Sequence, residues 1–324
     1  MTTSLGIRPP LAVTGLRRAL CVGAVAACLP YLALKVHWLL GGRIGLLDPA
    51  FGRSTTMAVA NALTFAMEVV ALVLAVAFVA PWGRRLPGPV VLLPMWVGTG
   101  LLGGILVSVP LQLLATLVVA ARPSSPAAPG GPSGTPPIAD WVYAVVYAGF
   151  GVLGLCLIGG FALYAHQRWL RPGGWARPLR AWVRPAPAAA AIRAVGGLAV
   201  AFGVAVAALG FVGDPRGVGG ALGDGAVAVA GGLGLLALWA ARPANLAGVV
   251  PAAAAWLGSG ALAAWGLYRF VLLAVPNDLA GDAPADPARL LLEAARCALG
   301  CALAAGLWAA RPTPRTTPPM EGPS

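Results

Sequence analysis

Five ionisable side chains interrupt long apolar stretches of this chain: Lys35, Glu68, Arg269, Glu293 and Arg296. A charge in such a setting either handles a proton or an ion, or is tied up in a pair. Spacing groups them further. Arg289, Glu293 and Arg296 stand at i, i+4 and i+7, and Asn61, Thr64 and Glu68 at i, i+3 and i+7, so each set shares one helix face. At 1.5 Å per residue, Lys35 and Arg269 sit about 9 Å inside their apolar runs, and Glu68 about 18 Å inside. The long stems of Lys35 and Arg269 can snorkel to an interface. A carboxylate cannot, so Glu68 either carries a proton or meets a cation. Arg296 is the first candidate for that cation, followed by Arg269 and Lys35. Together these residues predict an outward-facing polar cavity lined by the first, second, seventh and eighth helices.

Other chemistry finds little to stand on. No HExxH, GxSxG or phosphate-loop motif occurs. With the N-terminus on the inner side, His37 lies near the outer face and His166 near the inner one, whereas a metal or haem needs its ligands at one depth. Cys21, Cys28, Cys156, Cys297 and Cys301 all lie within apolar runs, where a thiol behaves as a small hydrophobe rather than as part of a disulfide framework. With no nucleophile–base set, the sequence reads as non-enzymatic, with neither cofactor nor metal.

The elements that must position these residues follow from composition. Of 324 residues, 59% are hydrophobic and 10% charged, against about 25% charged in an ordinary soluble domain. Such a chain cannot cover a water-facing surface, so its solvent is the lipid bilayer. The net charge of +12 comes from 21 arginines and Lys35 set against ten acids. The arginines lie mainly between apolar runs and form no basic groove, which argues against nucleic acid.

A membrane-spanning helix needs about 20 apolar residues. Eight runs meet or approach this: 19–40, 57–80, 90–120, 141–165, 193–212, 225–241, 248–275 and 287–309. The sixth, short and rich in Ala and Gly, is the weakest. The fold class is therefore all-α, a polytopic transmembrane bundle of about eight helices. With the N-terminus inside, inner segments hold 14 arginines and outer ones five. This places both termini in the cytoplasm and the chain in the cytoplasmic (inner) membrane. In that frame all seven aspartates fall on the outer side, giving that rim a local negative field. Arg17-Arg18 followed by Val25-Ala26-Ala27-Cys28 has the look of a lipoprotein signal. The apolar run continues through Trp38, however, so a retained helix is expected.

Four units follow. Residues 1–165 form a first four-helix half, including a Pro/Gly/Ser-rich outer loop at 121–140 that reads as disordered. A basic cytoplasmic connection spans 166–192, a second four-helix half 193–312, and a tail 313–324. In the connection, Arg168, Arg171, Arg177, Arg180 and Arg184 alternate with Trp169, Trp175 and Trp182, a composition suited to contact with anionic lipid.

The halves look related. Trp96-Val97-Gly98-Thr99-Gly100 recurs 160 residues later as Trp256-Leu257-Gly258-Ser259-Gly260. Leu238-Trp239-Ala240-Ala241-Arg242-Pro243 recurs as Leu307-Trp308-Ala309-Ala310-Arg311-Pro312. Four helices per half is an even number, so the two repeats would be parallel. The paired glycines are expected to mark close backbone approach. Glu68 aligns with Ala228 and Arg269 with Val109, so the polar sites are not duplicated.

His37-Trp38-Leu39-Leu40-Gly41-Gly42 at an outer helix end, with the later Trp-x-Gly-Ser-Gly helix, resembles uncharacterised multi-pass membrane proteins of GC-rich actinobacteria. The resemblance implies membrane location and no particular activity. The functional expectation is an integral membrane protein with a structural or accessory role. The alternative is a small-solute or proton-coupled transporter using the polar cavity.

Overall fold

A computed structural model describes residues 11–48, 51–120, 137–170, 177–179, 189–212, 218–275 and 286–310. Most of the proline-rich loop, Arg171, Arg180, Arg184, Trp175, Trp182 and the tail 313–324 lie outside the described residues.

Eight helices long and apolar enough to cross a membrane account for nearly all of it, so this is an all-α integral membrane protein. They are α1 (Leu11–Leu39), α2 (Thr55–Ala77), α3 (Gly88–Ala120), α4 (Asp140–Ala165), α5 (Ala189–Val212), α6 (Val218–Ala240), α7 (Val249–Ala274) and α8 (Pro287–Ala309). Each of the eight expected runs becomes one helix. α1 begins at Leu11 rather than 19, and α6 at Val218 rather than 225. The two extra turns of α6 bring Asp224 into the far-end portion of the helix.

The chain runs up and down between two ends of the bundle. At the near end, where α1 starts, Arg17 donates to Gln167 Oε1 after α4 at 2.5 Å. Tyr164 of α4 donates to the Gly83 carbonyl in the α2–α3 connection at 2.7 Å. At the far end, Leu46 pairs with Ile138, and Gln112 of α3 accepts from Gly220 N of α6 at 3.0 Å.

In a bilayer, helices associate through close packing rather than through expulsion of water. That favours small residues, and the second half uses them heavily. Gly196 and Gly203 of α5 meet Gly232 and Gly225 of α6, both pairs seven residues apart, with the two backbones in contact and the side chains of Val200, Val229 and Leu236 packed beside them. A Cβ on Gly203 would lie 2.6 Å from the Gly225 carbonyl oxygen, and one on Gly232 2.5 Å from that of Gly196. α6 also meets α3: a Cβ on Gly223 would stand 2.1 Å from Ser108 Oγ. Half of α6's most apolar stretch is buried, against 17% for α2. The Ala/Gly composition that weakened its hydropathy is what lets it pack centrally.

α2 behaves oppositely. It carries Val59 and Leu63 at the positions 160 before Gly219 and Gly223, and both face outward. α1 and α2 pack on each other and α1 on α4, while α7 packs on α8, α6 and α3. Of the four glycines in the repeated motif, three sit in tight contacts. Gly98 does not: no atom comes within 4 Å of where its Cβ would be. Close approach was expected at all four, and α2 standing off from α3 accounts for the exception.

Candidate functional site

The sequence-predicted polar residues fall into two groups rather than one. Lys35, Asn61, Thr64 and Glu68 lie on α1 and α2. Arg269, Glu293 and Arg296 lie on α7 and α8. The single cavity expected between helices 1, 2, 7 and 8 is therefore not the arrangement found, because α1 and α2 make their extensive contacts elsewhere.

In the first group, Lys35 is only 5% exposed and donates to Asn61 Oδ1 at 2.7 Å. Its Nζ lies 4.7 Å above the Tyr31 ring and 5.6 Å from that of Trp38. Both rings offer a negative π face to the ammonium. Thr64 turns its hydroxyl back to the Ala60 carbonyl at 2.9 Å and the Asn61 carbonyl at 3.1 Å. Such a bond satisfies the hydroxyl within its own helix. Glu68 is 5% exposed and faces the bundle interior, within electrostatic range of Lys35. Its Oε2 is buried and has no hydrogen-bond partner among the described residues. Arg296, the first candidate for its cation, is engaged elsewhere; Lys35, the last of the three candidates, takes that place.

The second group is organised by a residue that sequence reasoning missed. Asp224 Oδ2 accepts from Arg269 at 2.6 Å and from Arg296 at 2.7 Å. Arg296 Nε also lies 3.1 Å from Glu293 Oε2 on the same helix. Two acids and two arginines thus join α6, α7 and α8 in a set with no net charge. The Arg296 guanidinium rests 5.5 Å from the Phe202 ring of α5, and that of Arg269 5.7 Å from Trp265. A signal for Asp224 was present in the sequence: it stands 160 residues after Thr64, a position already assigned to a polar stripe.

All of these residues but Glu68 lie toward the far end. Asn61 and Asp224 each sit six residues into their helices, about 9 Å along the axis. Glu68 is thirteen residues into α2, about 20 Å along it.

Arg168 and the histidine at the far end have structural duties. Arg168 donates to the carbonyls of Leu86 at 2.5 Å and Gly83 at 3.3 Å, and also to the Tyr164 hydroxyl. It clamps the end of α4 to the α2–α3 connection, so its guanidinium points into protein rather than toward the headgroups expected for it. His37 Nε2 accepts from Ile44 N at 3.2 Å, while Trp38 donates to the Ile44 carbonyl at 2.9 Å. Cys28, the residue a lipoprotein signal would modify, is fully buried in the core formed with α2, α3 and α4.

No family model, curated protein or solved structure matches this chain.

Proposed function

We propose that this integral membrane protein serves a structural or accessory role in the cytoplasmic membrane, with both termini on the cytoplasmic side and two related four-helix halves. The observation that supports this most is the Asp224 cluster. An exposed binding site presents uncompensated charge to a ligand, whereas here Asp224 is consumed by Arg269 and Arg296. Charges arranged in this way fasten helices. Arginines gathered at the near end, among them Arg17, Arg84, Arg85, Arg168 and Arg242, support the orientation. The rest of the basic connection, with Arg168 withdrawn, is proposed to lie on anionic lipid. Reporter fusions after Asp140 and after Arg184 test the topology: they should report opposite sides, and the same side for both overturns it.

A second reading, proton-coupled transport of a small solute, draws on one observation: the buried Glu68 Oε2 has no hydrogen-bond partner among the described residues. Liposomes holding the purified full chain and an entrapped pH dye separate the two. The structural role predicts proton leak no faster than in protein-free vesicles under an imposed pH gradient. Proton flux that Glu68→Gln abolishes would replace it with the transport reading.

A further inference from the structure

We infer that the seam between α3 and α7 has two positions, and that the hydrogen bond joining it exchanges between Trp96–Ser259 and Trp256–Thr99. The inference does not depend on the accessory role proposed above.

The argument begins with two nearly identical motifs. Trp96, Gly98, Thr99 and Gly100 match Trp256, Gly258, Ser259 and Gly260 position for position, 160 residues apart. α3 and α7 cross at these motifs: a Cβ on Gly100 would lie 2.2 Å from the Gly260 carbonyl carbon, and one on Gly260 2.5 Å from the Trp96 carbonyl oxygen. Trp96 Nε1 donates across the seam to Ser259 Oγ at 3.0 Å, and Ser259 in turn donates to the Trp256 carbonyl at 3.0 Å.

Exchanging the motifs turns Trp96–Ser259 into Trp256–Thr99. Those two groups are present and buried, and among the described residues neither Trp256 Nε1 nor Thr99 Oγ1 has a hydrogen-bond partner. Thr99 is 5% exposed, and the Trp256 indole instead stacks on Phe161 of α4, ring centroids 5.9 Å apart. Buried polar groups left unpaired are uncommon. Here both unpaired groups are the motif equivalents of a pair that is made.

Local sequence does not explain which bond forms. The donors are both tryptophan and the acceptors are both hydroxyls on the residue before a glycine. Two arrangements built from equivalent parts have similar local energies, so the choice is made by the surrounding packing, which differs: α6 packs on α3, while α2 makes no equivalent contact of that extent with α7. The crossing itself is backbone on backbone, flanked by Leu257 seated on Gly103 and Trp265 on Gly104, so only a small displacement is open to it. A small roll of α7 against α3, with Trp256 leaving Phe161, would release Trp96 and seat Trp256 on Thr99.

Fluorine NMR of the full chain in nanodiscs, labelled with 5-fluorotryptophan, tests this. Trp96→Phe and Trp256→Phe assign the two relevant signals among the 11 tryptophans. Removing either acceptor should move both signals in opposite senses. Ser259→Ala is expected to raise the Trp256-bonded population about fivefold, the weight of one ordinary hydrogen bond. Thr99→Ala is expected to abolish that population and leave Trp96 fully bonded. Thr99→Ser keeps both hydroxyls, guards against loss of fold, and should retain both populations. A single fixed seam gives a different result: Ser259→Ala shifts Trp96 alone, Thr99→Ala shifts Trp256 alone, and neither reaches across. That outcome overturns the inference, including the case in which a fixed water joins Thr99 to Trp256.

Discussion

Arg296 of α8 donates to Asp224 of α6 at 2.7 Å, joining residues 72 positions apart in the chain. With the Arg296 side chain 6% exposed and that of Asp224 15% exposed, little water reaches the pair.

Asp224→Asn should therefore destabilise the second half. It leaves two arginines facing a single carboxylate, Glu293. Breaking a buried pair from one side costs on the order of 3 kcal/mol. Thermal unfolding in detergent should show a clear fall in midpoint; a midpoint like that of the parent would mean the cluster is solvated and its bonds incidental.

Gly98 and Gly100 differ by two residues and should respond oppositely to alanine. At Gly100 the new methyl meets the Gly260 backbone, which cannot move aside as a side chain would. Overpacking of this kind costs about 1–3 kcal/mol. At Gly98 the methyl enters open space, and better helix propensity should be neutral or stabilising by up to about 1 kcal/mol. Equal losses at both sites would show that α2 closes on α3 in the membrane.

How far the sequence foretold this is clearest at α6 and α1. The eight spans were legible because hydropathy and length suffice to mark a helix that crosses a bilayer. Asp224 was not, because hydropathy ends a span at its first charge, whereas the helix continues until its backbone bonds run out. Partners were harder still. Lys35–Asn61 joins neighbouring helices and follows from their depths, but Arg296 turning to Asp224 depends on which helices pack together. That depends on where glycine permits contact, and α6 carries glycines where α2 carries Val59 and Leu63.

Lys35 and Glu68, within electrostatic range of each other, should differ when changed singly. Glu68→Gln forfeits no bond at Oε2 and should shift stability by less than about 1 kcal/mol. Lys35→Met removes the donor to Asn61 and leaves Glu68 without its nearby cation, a larger loss. Adding Glu68→Gln to Lys35→Met should recover at least about 1 kcal/mol, a coupling that a double-mutant cycle reads directly. Additive effects would place the two residues in separate environments.

The glycine contacts of α5 and α6 bear on how the protein meets a change in its bilayer. Two backbones pressed into contact have little left to compress, so α5 and α6 act as a stiff plate. α2, held off by its own bulky residues, is the compliant edge. When hydrocarbon thickness changes, tilt is taken up by the helix with fewest neighbours. Hydrogen exchange in bilayers of short and long acyl chains should then alter protection along α2 while α6 stays constant. Strain reaching the core would pass through Trp96 and Ser259, where α3 and α7 touch.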